Sequence, residues 1–190
     1  MSKFVVFYDT EFTSWEGAMA SDWGEEWQYR ELVQIGAMRF DVENFVEIDR
    51  FDIFIQPVKN PILSDYFSKL THITNAQLKE HGQSFEAAYQ KFVAYIGQDP
   101  IYSYGGDHLI VQENCTLYGF EQWAKEFKGL DIRPWFGQQG IDINTVNSGA
   151  LAKTLGVDLD MHEHNALDDV KSIWAAFEFL VKNGAANPLI

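Results

Sequence analysis

At 190 residues and 21.8 kDa, the chain is sized for one compact domain, and its 46% hydrophobic content is globular. With 28 acidic against 14 basic residues the net charge is −14, which argues against sequence-blind gripping of long duplexes, where phosphate neutralisation drives affinity. That balance leaves open a site holding a few nucleotides at one end, with bound divalent cations supplying the positive charge.

The N-terminal Met-Ser-Lys-Phe-Val-Val-Phe reads as a strand, over 3–9, rather than as a secretory leader. Residues 14–30, rich in Trp, Gly, Glu and Ser without a period, read as a loop. Strands follow at 31–41 and 46–56, where Pro57 stops the second, and their short connection makes them a hairpin. Short helices are expected at 62–70 and 75–81. Ser84 caps a helix to about Ile96 with Phe85, Ala88, Tyr89 and Phe92 on one face. A fourth strand is expected at 100–104, a helix over 108–127, a fifth strand at 141–143, and helices at about 145–155 and 166–183. No apolar run approaches the roughly 18–20 residues of a membrane span. Cys115 is the only cysteine and reads as a small buried residue in a reducing compartment, so cytoplasm is the expected location. No linker or repeat divides the chain, so a single domain over 1–190 is expected, a mixed sheet covered by helices.

Strand alternation sends Asp9 and Glu11 to the same side at the end of the first strand. Asp107 follows the fourth strand after Gly105-Gly106, and His164 and Asp169 open the last helix. Taken singly, each has an ordinary reading. The first pair would be solvated carboxylates at a strand end and Asp107 a helix N-cap. Asp168 and Asp169 would be acids favoured by the helix dipole, and His164 a surface residue beside the cap. Taken together they suit phosphodiester chemistry. Two divalent cations about 3.5–4 Å apart need several carboxylate oxygens, and hard ions such as Mg²⁺ prefer them. A histidine is suited to take a proton from water near neutral pH.

These residues resemble the motifs of the DnaQ-like exonucleases of the DEDDh type. Asp-x-Glu-x-Thr is matched by Asp9, Glu11 and Thr13, and His-x-Ala-x-x-Asp by His164, Ala166 and Asp169. Asp107 is the best match to the second motif. Spacing disfavours His162 and Asp168 as the motif residues. Glu31-Leu-Val-Gln-Ile-Gly-Ala and the stretch Leu63 to Thr74 are similar to segments of the Eri-1-type and sporulation-inhibitor-type enzymes, except that His72 stands where Gly is usual. The resemblance covers about residues 3–180. It implies an α/β, ribonuclease H-like fold with a mixed five-stranded sheet and helices on both faces. It further implies 3′→5′ exonuclease activity on single-stranded RNA or DNA 3′ ends, RNA by analogy with the subgroup. By the same resemblance Asp9, Glu11, Asp107 and Asp169 would bind two Mg²⁺ or Mn²⁺ ions, with His164 as general base.

A terminal base needs a stacking surface. Phe12 and Thr13, next to the acidic pair, are the expected substrate contacts, with Trp15, Trp23, Trp27 and Phe67 as further aromatic candidates. The competing readings are an endonuclease on the same fold, a catalytically inactive binding module, and a structural Ca²⁺ protein. The His-x-Ala-x-x-Asp helix, the full set of five residues, and the lack of an EF-hand loop weigh against them in turn.

Overall fold

A computed structural model describes residues 3–189, so Met1 and Ser2 of the N-terminal run lie outside the described residues. Its centre is a five-stranded sheet in the order β3-β2-β1-β4-β5, built from β1 (Phe4–Phe12), β2 (Leu32–Asp41), β3 (Val46–Phe54), β4 (Ile101–Ser103) and β5 (Leu130–Asp131). β1 pairs antiparallel with β2 and parallel with β4, so the sheet is mixed. The helices are α1 (Asp65–Thr71), α2 (Asn75–His81), α3 (Phe85–Ile96), α4 (Asp107–Leu117), α5 (Glu121–Glu126), α6 (Arg133–Gln138), α7 (Leu151–Thr154) and α8 (Ala166–Lys182).

The alternation of β1 divides the core. Val6 and Tyr8 point to the face covered by α3 and α4, where they meet Phe92, Ile110, Val111 and Cys115. Val5 and Phe7 point to the opposite face, against Val170, Ile173, Trp174 and Phe177. These four recur at the spacing of one α-helical stripe, which is why α8 lies flat on the sheet. Asp9 and Glu11 continue the Val5–Phe7 face, so they emerge beside the first turn of α8.

Gly36 of β2 makes that approach possible. It is the partner of Asp9 in the ladder, and a Cβ built on it would meet the Leu167 nitrogen at 2.4 Å and the Ala166 carbonyl carbon at 2.6 Å. Its neighbour Gln34, fully buried, accepts from the Ala166 N–H at 3.2 Å and donates to Asp52 Oδ1 at 2.8 Å. The α8 N-terminus is thus held on the sheet through one missing side chain and one amide.

The structure corrects the sequence reading in the second half. The fifth strand is Leu130–Asp131, not 141–143; two residues are too few to show alternation. Ile141 is buried in the α8-side core and Asp142 accepts from Thr145 and Asn144, so the alternation of Ile-Asp-Ile marks a turn. The helix expected over 108–127 breaks at Gly119, whose φ of +82° is open to glycine, giving α4 and α5. The helix expected over 145–155 shrinks to Leu151–Thr154, and α6 was not foreseen.

Candidate active site

β1 runs past the end of β4, and the Thr10 N–H, facing where β4 has stopped, needs a partner. Asp107 supplies it, accepting from Thr10 N at 3.1 Å and Thr10 Oγ1 at 2.6 Å. Asp107 is therefore no helix cap: α4 has no side-chain cap bond, and this carboxylate reaches back to the residue between Asp9 and Glu11. On the other face, Asn165 caps α8 by accepting from Asp168 N. The first turn then carries Asp169 inward, 3% exposed, where it accepts from Ser148 Oγ at 2.9 Å and from the His164 N–H at 3.2 Å. Gly149 leaves it room, since a Cβ there would sit 2.6 Å from Asp169 Oδ1. Asp168 turns away, to Lys171 at 2.5 Å and the His162 N–H at 3.0 Å.

Asp9, Glu11, Asp107, Asp169 and His164 all line one cavity of about 580 Å³, together with Phe12, Trp15, Trp23, Tyr66 and Ser148. One ligand atom each from Glu11, His164 and Asp169 falls within 4.8 Å of the others, and no other such group occurs among the described residues. A larger cavity of about 780 Å³ lies between α3 and the β4 edge, lined mostly by apolar atoms. Its size does not make it the reactive site, because it lacks such a cluster.

Charge crowding sets the chemistry. Burial pushes Asp9 well above the ordinary carboxylate range, and repulsion from Asp107, Asp169 and Glu11 pushes it further. Glu11 rises for the same reasons, with Asp169 and Asp107 as its neighbours. Burial also raises Asp107, against the hydrogen bonds from Thr10, and lifts Asp169 to about 7. Four carboxylates held against their own repulsion form a donor set that suits a hard divalent cation, which would relieve the strain by its charge. Burial lowers the pKa of His164, keeping its imidazole neutral and able to accept a proton at pH 7.

The expected substrate contacts separate. Phe12 lines the cavity and packs on Trp23 at 5.5 Å between ring centroids. Thr13 does not line it: the residue is buried, its hydroxyl donates to the Tyr29 carbonyl and accepts from the Glu31 N–H, and its motif position closes the base of the 14–30 loop. Trp15 and Trp23 reach the cavity. Trp27 packs edge-on against Trp15 and Phe67 is buried in a separate small core. His72 caps α1 at φ +61°, so the usual glycine there answers a left-handed backbone; its ring lies against His162 instead of lining the cavity. Ser148, Gly149 and Arg133 were missed by sequence reasoning, and Gly36 entered it only inside the stretch Glu31 to Ala37. Ser148 and Gly149 act on Asp169, and Gly36 on the start of α8, all distant in the chain. Arg133 bonds its near neighbour Asp131, and its place in the cavity is set by packing over Gly105.

Among known proteins, the chain matches a family model described as "Exonuclease" over residues 6–177. ERI1 exoribonuclease 2 of Xenopus laevis is 24% identical over 90% of this chain, which spans only 27% of that relative's length. The nuclease domain of 3′hExo, a DEDDh family member bound to rAMP, superposes with a TM-score of 0.80 at 21% identity, covering 96% of this chain and 94% of that one. The zinc-bound complex of E. coli ExoI with ssDNA gives 0.72 at 15% identity, covering 96% and 41%. At such identities the structures speak to the fold, a ribonuclease H-like sheet. The family model spans most of the sequence, from before Asp9 to beyond Asp169; on that ground this chain belongs to the exonuclease family.

Proposed function

We propose that residues 1–190 form a single metal-dependent 3′→5′ exonuclease domain that releases 5′-mononucleotides from single-stranded ends, RNA in preference to DNA. The observation that carries this is the meeting of four carboxylates and one neutral histidine in a single aromatic-walled cavity. Asp9, Glu11, Asp107 and Asp169 would hold two Mg²⁺ or Mn²⁺ ions. Bound there, divalent cations supply an activated water and offset charge on the phosphoryl and leaving oxygens. His164, neutral through burial, takes the proton of the attacking water. Its main chain is fixed to Asp169, so base and carboxylates move as one unit. Ser148 orients the Asp169 carboxylate. Phe12, Trp15 and Trp23 give the terminal base a surface to stack on.

The preference for RNA draws support from the relative named an exoribonuclease and from a 3′-exonuclease, TM-score 0.76, whose structure concerns recognition of a histone mRNA stem-loop. The test is digestion of matched 5′-labelled RNA and DNA oligonucleotides with Mg²⁺, Mn²⁺ or chelator. A stepwise ladder that needs metal and shortens RNA faster is expected. A single internal cut would replace this reading with an endonuclease.

A further inference from the structure

The cavity is rich in carboxylates, yet one fixed cation lines it among the described residues, Arg133 at the start of α6. Its side chain is 39% exposed. Nε and Nη2 donate to Asp131 at 2.9–3.3 Å, whereas Nη1 donates no hydrogen bond among the described residues. Asp131 Oδ1 also accepts from the Arg133 N–H at 2.8 Å and the Gly105 N–H at 3.0 Å. The arginine is thereby tied to the Gly105-Gly106 turn that delivers Asp107. Gly105, whose φ of +134° favours glycine, lies beneath the guanidinium, and a Cβ built on it would be in ordinary contact with Arg133 at 3.6–3.8 Å.

We propose that Arg133 grips the phosphate next to the scissile one on the substrate strand. This rests on the exonuclease reading above. A strand entering so acidic a cavity needs positive charge at each phosphate it brings close. The four carboxylates serve the scissile phosphate through the cations they hold. Arg133 stands outside that ring, beside the turn bearing Asp107, and is the remaining positive group. A planar guanidinium pre-positioned by Asp131 gives up little freedom when it meets a phosphate, and its open edge suits phosphate oxygens. The contact reads backbone only, so it makes no distinction between RNA and DNA and selects strands with at least two phosphodiesters.

The alternative role, a bracket that only steadies the Gly105 turn, predicts a different pattern. Arg133→Gln and Arg133→Lys would be assayed on a labelled oligonucleotide over a range of salt, and on the p-nitrophenyl ester of thymidine 5′-monophosphate, which has no second phosphate. Arg133→Gln is expected to raise KM for the oligonucleotide about tenfold, the scale of a lost charge-assisted bond, and to leave the ester within about twofold. The slope of log(1/KM) against log[salt] should become shallower by about 0.7, one phosphate contact on a single strand, and Arg133→Lys should restore it. Equal losses on both substrates, or an unchanged slope, would overturn the proposal. A methylphosphonate at the phosphate next to the scissile one gives a measurement on the unaltered protein: KM should rise about as much as in Arg133→Gln, and no rise counts against the contact. Absence of any 3′-end trimming by the unaltered protein would instead sink the exonuclease reading.

Discussion

The two sides of the cavity are built differently. The carboxylate side is strand and helix: Asp9 is buried, Asp169 is held by two hydrogen bonds, and Gly36 lets α8 close on β2. The aromatic side is the 14–30 loop, where Met19 is 82% exposed while Ala18 is buried and the Trp23 indole N–H donates to the Thr13 carbonyl. Thr13 and Glu31 close the base of the loop. The Glu31 carboxylate, fully buried, gathers the N–H groups of Val58, Lys59 and Asn60 and the Tyr118 hydroxyl, and Asn60 in turn bonds Tyr29 and Trp27. A site that must hold repelling charges to within fractions of an ångström belongs on regular elements, and a surface that meets varied bases belongs on a loop.

That contrast can be broken from either side. The largest effect is expected from Asp9→Asn, which should lower kcat by on the order of 10⁴-fold while leaving the fold intact. It should also steady the metal-free protein at pH 8, since a repelling carboxylate is gone. The underlying pH dependence has a definite sign. The Asp169 pKa is raised from 3.8 to about 7, so protonation favours the folded state. Metal-free stability should therefore decline as pH rises from about 4 to 7, and added Mg²⁺ should recover it above 7. A melting temperature of the metal-free protein that climbs over that range would contradict the charge crowding. His164→Ala comes next, lowering the rate at pH 7 by about 10²- to 10³-fold with metal affinity nearly unchanged; an undiminished rate would remove it as the base.

Gly36→Ala touches no reacting group, yet its Cβ would meet helix backbone that cannot yield. A loss of about 1–3 kcal/mol in denaturant unfolding is expected, with activity falling alongside as α8 carries His164 and Asp169 away from β1. An unchanged melting curve would show that the helix does not depend on that contact. The smallest effect belongs to the loop side. Trp23→Ala should weaken substrate binding by about 1 kcal/mol, the lower end for a stacked base, seen as a rise in KM with kcat retained. A fall in kcat alone would assign Trp23 to the carboxylate side.

Much of the carboxylate side is legible in the amino-acid sequence. Alternation along Phe4–Phe12 puts Asp9 and Glu11 on one face, and the stripe through Val170, Ile173, Trp174 and Phe177 places α8 with its acidic first turn. Those signals are local, repeating every two or 3.6 residues, and the sequence determines them directly. The motif spacing from His164 favours Asp169 over Asp168; one step along a helix turns a side chain by about 100°, and in the structure Asp169 faces Ser148 while Asp168 faces Lys171.

Tertiary structure decided the rest. Whether Asp107 is a cap or a member of the cluster depends on Thr10, 97 residues away, and on β4 ending before β1. Thr13 was expected to touch substrate from its place in the motif beside the acidic pair, and only the loop folding back to Glu31 shows its hydroxyl to be spent. Arg133 has no motif around it and matters through its place beside the Gly105 turn. The residue types and the faces they occupy were written in the chain by backbone periodicity. Their meeting at one end of β1 was decided by packing, because distances between residues remote in sequence are fixed only when the sheet and α8 close on each other.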